Sequence, residues 1–178
     1  MKEEIAEIQE GTRSLRRSAK LALAQHKPRY AGTEPSALLL LQPRPPQLPS
    51  GLIEDGDLAP VDKVIWLVLM LRTFEMDGVA FLPTHAELAR SSNVAAPETV
   101  TRALAMLLCR RWLSVVQSAW RKDGQQRGSA YALHPAPLPI ADTLFLDPNY
   151  PAFLEKLAGQ SYARLRRAAS EELARLLK

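Results

Sequence analysis

Between Asp57 and Leu133 the spacing of hydrophobic positions changes from helical to alternating, with turn residues at each change. Pro60 suits the first turn of a helix that runs to about Glu75, and Gly78 ends the connection after it. Val61, Val64, Ile65, Val68 and Leu69 supply one apolar face there, while Trp66, Leu67, Met70 and Leu71 cover much of the rest. A helix apolar nearly all round has to be covered on several sides. Phe81 and Leu82 suit a short strand before Pro83. Thr84-His-Ala-Glu87 then has the form of a capping box, in which the Thr84 hydroxyl accepts from the Glu87 amide and the Glu87 carboxylate from the Thr84 amide. This predicts a short helix over about His85 to Ser91.

Ser91-Ser-Asn93 reads as a turn, with Asn93 the candidate for positive φ. Pro97 opens another helix, in which Val100, Ala103, Leu104, Leu107 and Leu108 follow the spacing of a core-facing stripe. That leaves Thr99, Thr101, Arg102, Ala105 and Cys109 on the flanks or outside. The β-rich runs Trp112–Val116 and Ala130–Leu133 are joined by a polar, glycine-punctuated stretch from Arg121 to Gly128, the pattern of a hairpin with a basic tip.

Prolines mark off the flanks. Residues 1–26 hold no proline and space Ile5, Ile8, Leu15, Ala19, Ala22 and Leu23 at loose helical intervals, so they read as a basic amphipathic helix broken near Gly11. Residues 27–56 read as a proline-rich linker, in which Ala37 to Leu41 forms a strand or packs on the core. The central domain spans 57–134, a second proline-containing linker spans 135–149, and 150–178 divides into two terminal helices, Tyr150 to Gly159 and Ser161 to Lys178. In the second of these, Tyr162, Leu165, Ala169, Leu173 and Leu176 form one stripe, with Arg164, Arg167, Glu171, Glu172 and Arg175 on the other faces. Such a stripe predicts a homodimer, the alternative being that the helix folds back on its own domain. The fold class is mainly α with a small β-hairpin: a winged helix-turn-helix with N- and C-terminal helical extensions.

Charge adds a partner class. The 178 residues carry 23 Lys+Arg against 19 Asp+Glu, for a net charge of +4 and a pI near 9.4, which suits a polyanion. Arg102 to Tyr131 holds Arg102, Arg110, Arg111, Arg121, Lys122 and Arg127 against Asp123 alone. One cysteine, Cys109, allows no internal disulfide and has no second Cys in metal-ligand spacing with any His, so neither a metal nor a cofactor is expected. Apolar runs such as Val64 to Leu71 fall far below the roughly 18 residues that span a bilayer. The Met1 end, reading KEEIAEIQE, is not a signal peptide. A soluble, cytoplasmic protein without a membrane partner is expected.

In a helix-turn-helix the second helix enters the major groove and its outward residues near the start reach base edges. Here those residues are Thr99, Thr101 and Arg102, hydroxyls for phosphate or base and a guanidinium for guanine or phosphate. Glu98 either accepts from a cytosine amino group or complements the helix dipole, the second being favoured. In the wing, Arg121, Lys122 and Arg127 supply salt-sensitive backbone contacts unless they are simply a solvated hairpin tip. Thr84 and Arg110, at the ends of the two helices, complete the candidate DNA contacts.

Glu98-Thr-Val-Thr-Arg-Ala-Leu-Ala-Met-Leu-Leu108 followed by Arg111-Trp-Leu113 resembles the recognition helix and first wing strand of GntR-type repressors. Over about Leu38 to Tyr150 the blocks LLLL, LAPVDKVIWLVLMLR, DGVAFLPTHAEL, ETVTRALAMLLCRRWLSVV, GSAYALHPAPL and LDPNYPAF together resemble the helix-turn-helix replication proteins of pathogenicity islands and integrative conjugative elements. The resemblance implies a bacterial mobile-element protein that binds double-stranded DNA in replication or maintenance of the element. No Ser-His-Asp, Cys-His or GxxxxGK[ST] pattern is present, which points away from an enzyme. Glu54-Asp-Gly-Asp57 lacks the spaced ligands of a calcium loop and reads as a solvated turn. The rival reading is an interaction subunit that recruits another replication or nucleoprotein component through the same fold.

Overall fold

The computed structural model describes residues 17, 37–40, 48–75, 79–120 and 126–177. It is mainly helical with a small sheet. In chain order the elements are β1 (Ala37–Leu40), α1 (Ser50–Glu54), α2 (Pro60–Glu75), β2 (Val79–Phe81), α3 (His85–Ser91), α4 (Pro97–Cys109), β3 (Leu113–Trp120), β4 (Gln126–Leu133), α5 (Ile140–Leu146), α6 (Tyr150–Ala158) and α7 (Ala163–Leu176).

The sheet has the order β2-β1-β4-β3. β3 and β4 form the expected antiparallel hairpin, from Leu113 opposite Leu133 to Trp120 opposite Gln126. The strand in the proline-rich segment lies inside the sheet: β1 runs parallel to β4, with Ala37 opposite Ala130, and antiparallel to β2, with Ala37 opposite Phe81. A parallel partner so far along the chain leaves no local turn signal, so the segment reads from sequence as a linker with an apolar patch. Residues 27–56 are therefore not all linker. Leu52 of α1 is fully buried in the main core as well.

α2 shows how a helix apolar on nearly every side is accommodated. Ile65, Trp66, Leu69 and Met70 are buried, with α3 and α4 packed against the helix on one side and β1 and β2 on another. Trp66 meets Trp112 edge-on, with centroids 6.2 Å apart, and its indole N–H donates to the Trp112 carbonyl. Val64, Leu71 and Phe74 stay about half exposed.

The capping box of α3 forms as its sequence requires: the Glu87 amide donates to Thr84 Oγ1 at 3.2 Å and the Thr84 amide to Glu87 Oε2 at 2.9 Å. After it Asn93 has φ 51°, and Val94 N–H reaches back to the Ala89 carbonyl and Asn93 N–H to that of Arg90, a Schellman closure. α4 buries Val100, Ala103, Leu104 and Leu107 of the expected stripe, and Met106 and Cys109 besides.

The additional burial on α4 comes from the C-terminal helices. Leu154 and Leu157 of α6 and Leu165, Ala168 and Ala169 of α7 belong to the same core as α2 and α4, with Leu173 and Leu176 packed against it. Leu165 and Ala169 of the last helix's apolar stripe are thus covered by its own chain, while Tyr162 stays 37% exposed and Leu173 and Leu176 are partly buried. Glu172, expected on an outer face, lies in the buried row and is 1% exposed. The segment 135–149 contains α5, a helix too short to show a full hydrophobic period and masked by the prolines before it.

Candidate nucleic-acid interface

α3 and α4 are joined through the turn at Asn93 and packed against each other, and β3 follows shortly after the end of α4. Burial of the rest of α4 leaves a single outer face, on which Glu98, Thr101 and Arg102 are exposed and Thr99 and Ala105 are partly so. Three of the expected contact residues therefore gather at the N-terminal half of one helix.

Each has a defined local setting. Thr101 Oγ1 lies 3.0 Å from His85 Nδ1 and donates to the Pro97 carbonyl at 3.2 Å. The contact between Thr101 and His85 ties the starts of α3 and α4 together. Arg102 places its guanidinium 4.8 Å from the centroid of the Tyr162 ring, a cation–π contact across to the start of α7. Tyr162 has no sequence signal beyond its place in the apolar stripe. Thr84 is exposed, but its hydroxyl and amide are engaged with Glu87. The Thr84 backbone hydrogen bond, helped by the hydroxyl, holds the Glu87 carboxyl below its usual range, so a negative charge sits beside Thr84.

Arg110 is placed differently from the sequence expectation. It is 5% exposed and forms ion pairs with Asp57 at 3.2 Å, with Glu171 and with Glu172 at 2.8 Å. Burial by itself would push this guanidinium down, but the hydrogen bonds it donates to Glu171 and Glu172 and the charge of Asp57 carry it above its ordinary value. Arg110 points into the junction of α4, α7 and the loop before α2, away from any solvent-borne ligand. Its neighbour Arg111 joins the same cluster through Glu172 and donates to the Leu138 carbonyl at 2.8 Å. A glutamate at a core position of an otherwise apolar row, i, i+3, i+4, i+7 from Leu165, was the signal for such a partner.

Arg121 and Lys122 lie outside the described residues. Arg127 is placed by its backbone alone, in β4.

The remaining polar chemistry is enclosed. Ser114 Oγ and His134 Nε2 are 2.7 Å apart and both residues are 3% exposed. Burial pushes the His134 imidazole down to about 4, so it is neutral, and the pair braces the base of the hairpin. The Cys109 thiol is buried and pushed up to about 12 by that burial, with Arg110 opposing, which makes it a packing group rather than a nucleophile. A cavity of about 220 Å³ opens behind His85 and Thr101, lined by Leu82, Leu104, Leu108, Tyr131 and Phe153 among others. It offers apolar walls and no carboxylate or thiol. Among the described residues no group of three His, Cys, Asp or Glu could hold a metal ion, and no helix is long and apolar enough to cross a membrane.

Comparison of the chain with models of known families, with curated proteins and with solved structures gives no match.

Proposed function

We propose that the chain is a non-catalytic binder of double-stranded DNA and that α3, α4 and the β3–β4 hairpin act as a winged helix-turn-helix. The observation that carries this reading is the single exposed face of α4, where Thr101 and Arg102 stand outward at the start of a helix whose other sides are buried. In a groove-reading helix the N-terminal turns approach base edges, and Arg102 has the geometry for guanine or phosphate. Glu98 sits in the first turn, where it complements the helix dipole. The hairpin, with the basic sequence of its tip, provides the backbone contacts. Arg110 is not among the contacts, and Thr84 serves the α3 cap.

The motif resemblance extends the proposal to a bacterial mobile element, with a cytoplasmic role in its replication, maintenance or transcriptional control. A second reading, an interaction subunit of a larger nucleoprotein complex, is favoured by one feature, the half-exposed Val64, Leu71 and Phe74 on α2. Selection of bound duplexes from a pool of genomic fragments separates the two. Enrichment of a shared sequence, lost steeply as salt rises, supports the DNA binder; no retained duplex at low salt, with the folded protein present, rejects it.

A further inference from the structure

α4 and α7 run side by side in the same direction: Arg102 in the second turn of α4 meets Tyr162 at the start of α7, and Arg110 at the end of α4 meets Glu171 and Glu172 further along α7. The outer face of α4 is therefore bordered by the first turns of α7. Residues four apart share a helix face, so Arg166 stands one turn beyond Tyr162 on the same flank, while Arg164 faces the other way and pairs with Asp62 of α2. Side chains on a helix lean toward its N-terminus. Arg166 follows that rule: it is exposed, and its guanidinium reaches back to the Gln160 carbonyl at 3.4 Å.

Arg102, Tyr162 and Arg166 thus make one exposed patch beside the outer face of α4. Its charge is mainly positive, with Glu98, four residues before Arg102, the acid that borders it on α4. The first acid on α7 is Glu171, after Arg164, Arg166 and Arg167, and Glu171 and Glu172 are already engaged by Arg110 and Arg111. Among the described residues neither Arg102 nor Arg166 has a carboxylate partner. Tyr162 is 37% exposed, and its ring lies against the Arg102 guanidinium.

Resting on the DNA reading above, we infer that Tyr162 and Arg166 are part of the DNA interface: Arg166 contacts backbone phosphate beside the groove that α4 enters, and the Tyr162 ring is the seat that positions Arg102. The footprint then includes the C-terminal helix, not only the helix-turn-helix and the wing.

The test uses the full chain and a random-sequence duplex of about 25 base pairs, titrated over a salt series. Arg166→Gln should weaken binding by about fivefold to tenfold at 0.1 M salt and reduce the slope of log affinity against log salt by about 1. On a duplex selected by the parent chain, where Arg102 matters, Tyr162→Ala should weaken binding while Tyr162→Phe, which keeps the ring, restores most of it. Lys156→Gln, at an exposed cation on α6, should bind as the parent does. Parent binding with unchanged affinity and slope in both Arg166→Gln and Tyr162→Ala overturns the α7 contact and leaves the DNA reading standing. No binding by the parent at low salt overturns both.

Discussion

Asn93 and Arg111 take left-handed backbone angles, φ 51° and 63°, without being glycine, and each closes a helix. Asparagine tolerates that conformation, but for arginine it costs about 1–2 kcal/mol. The Schellman closure after α4 places Arg111 where glycine usually stands, with Trp112 N–H bonded to the Leu107 carbonyl and Arg111 N–H to that of Leu108. What offsets the strain is the side chain, which joins Glu172 and the Leu138 carbonyl. His134 makes a second residue-level claim. Its folded pKa lies below the ordinary histidine value because burial disfavours the cation. The unfolded chain therefore binds the proton first, so stability is complete above about pH 6.5 and falls as pH drops toward 4, by up to about 3 kcal/mol. Urea midpoints measured from pH 7.5 to 4.5 should decline, and His134→Gln should remove part of the decline. An identical profile in that variant would show that His134 is not responsible.

At the scale of elements, α7 holds the end of α4 through one buried carboxylate, since Glu172 meets Arg110, Arg111 and Arg175. Removing it strands guanidinium charge in a buried junction. Glu172→Gln should cost about 3 kcal/mol, and amide exchange should rise together in α7 and the last turn of α4. Glu171→Gln, at a side chain 43% exposed, should cost under about 1 kcal/mol. A Glu172 variant as stable as its parent would mean that apolar packing alone docks α7. Local signals made much of this layer legible in the sequence: the Thr84–Glu87 box, the Asn93 turn, the Val100–Leu107 stripe and the two β-rich runs of the hairpin each depend on residues a few positions apart. The parallel pairing of β1 with β4, the placement of Arg110 and the contact of Tyr162 with Arg102 depend on residues dozens of positions apart. No spacing rule reaches them.

Over the whole molecule, elements from α1 to α7 contribute to one core, so the C-terminal helices are a wall of that core rather than an appendage. Leu165, 1% exposed, should behave accordingly: Leu165→Asp should unfold the chain or lower its stability by several kcal/mol, beyond about 3. A variant that stayed folded with unchanged stability and only a smaller mass by light scattering would instead assign the stripe to a subunit interface. The same core fixes α4 so that its N-terminal half alone looks outward, and the central claim is that this face meets DNA. Affinity of the parent chain and of Arg102→Ala for a selected duplex and its scrambled counterpart tests it most directly. The variant should lose about 1–3 kcal/mol on the selected duplex and bind the scrambled one with far less change, so that discrimination shrinks. Equal affinity of parent and variant for the selected duplex would contradict a DNA-reading α4.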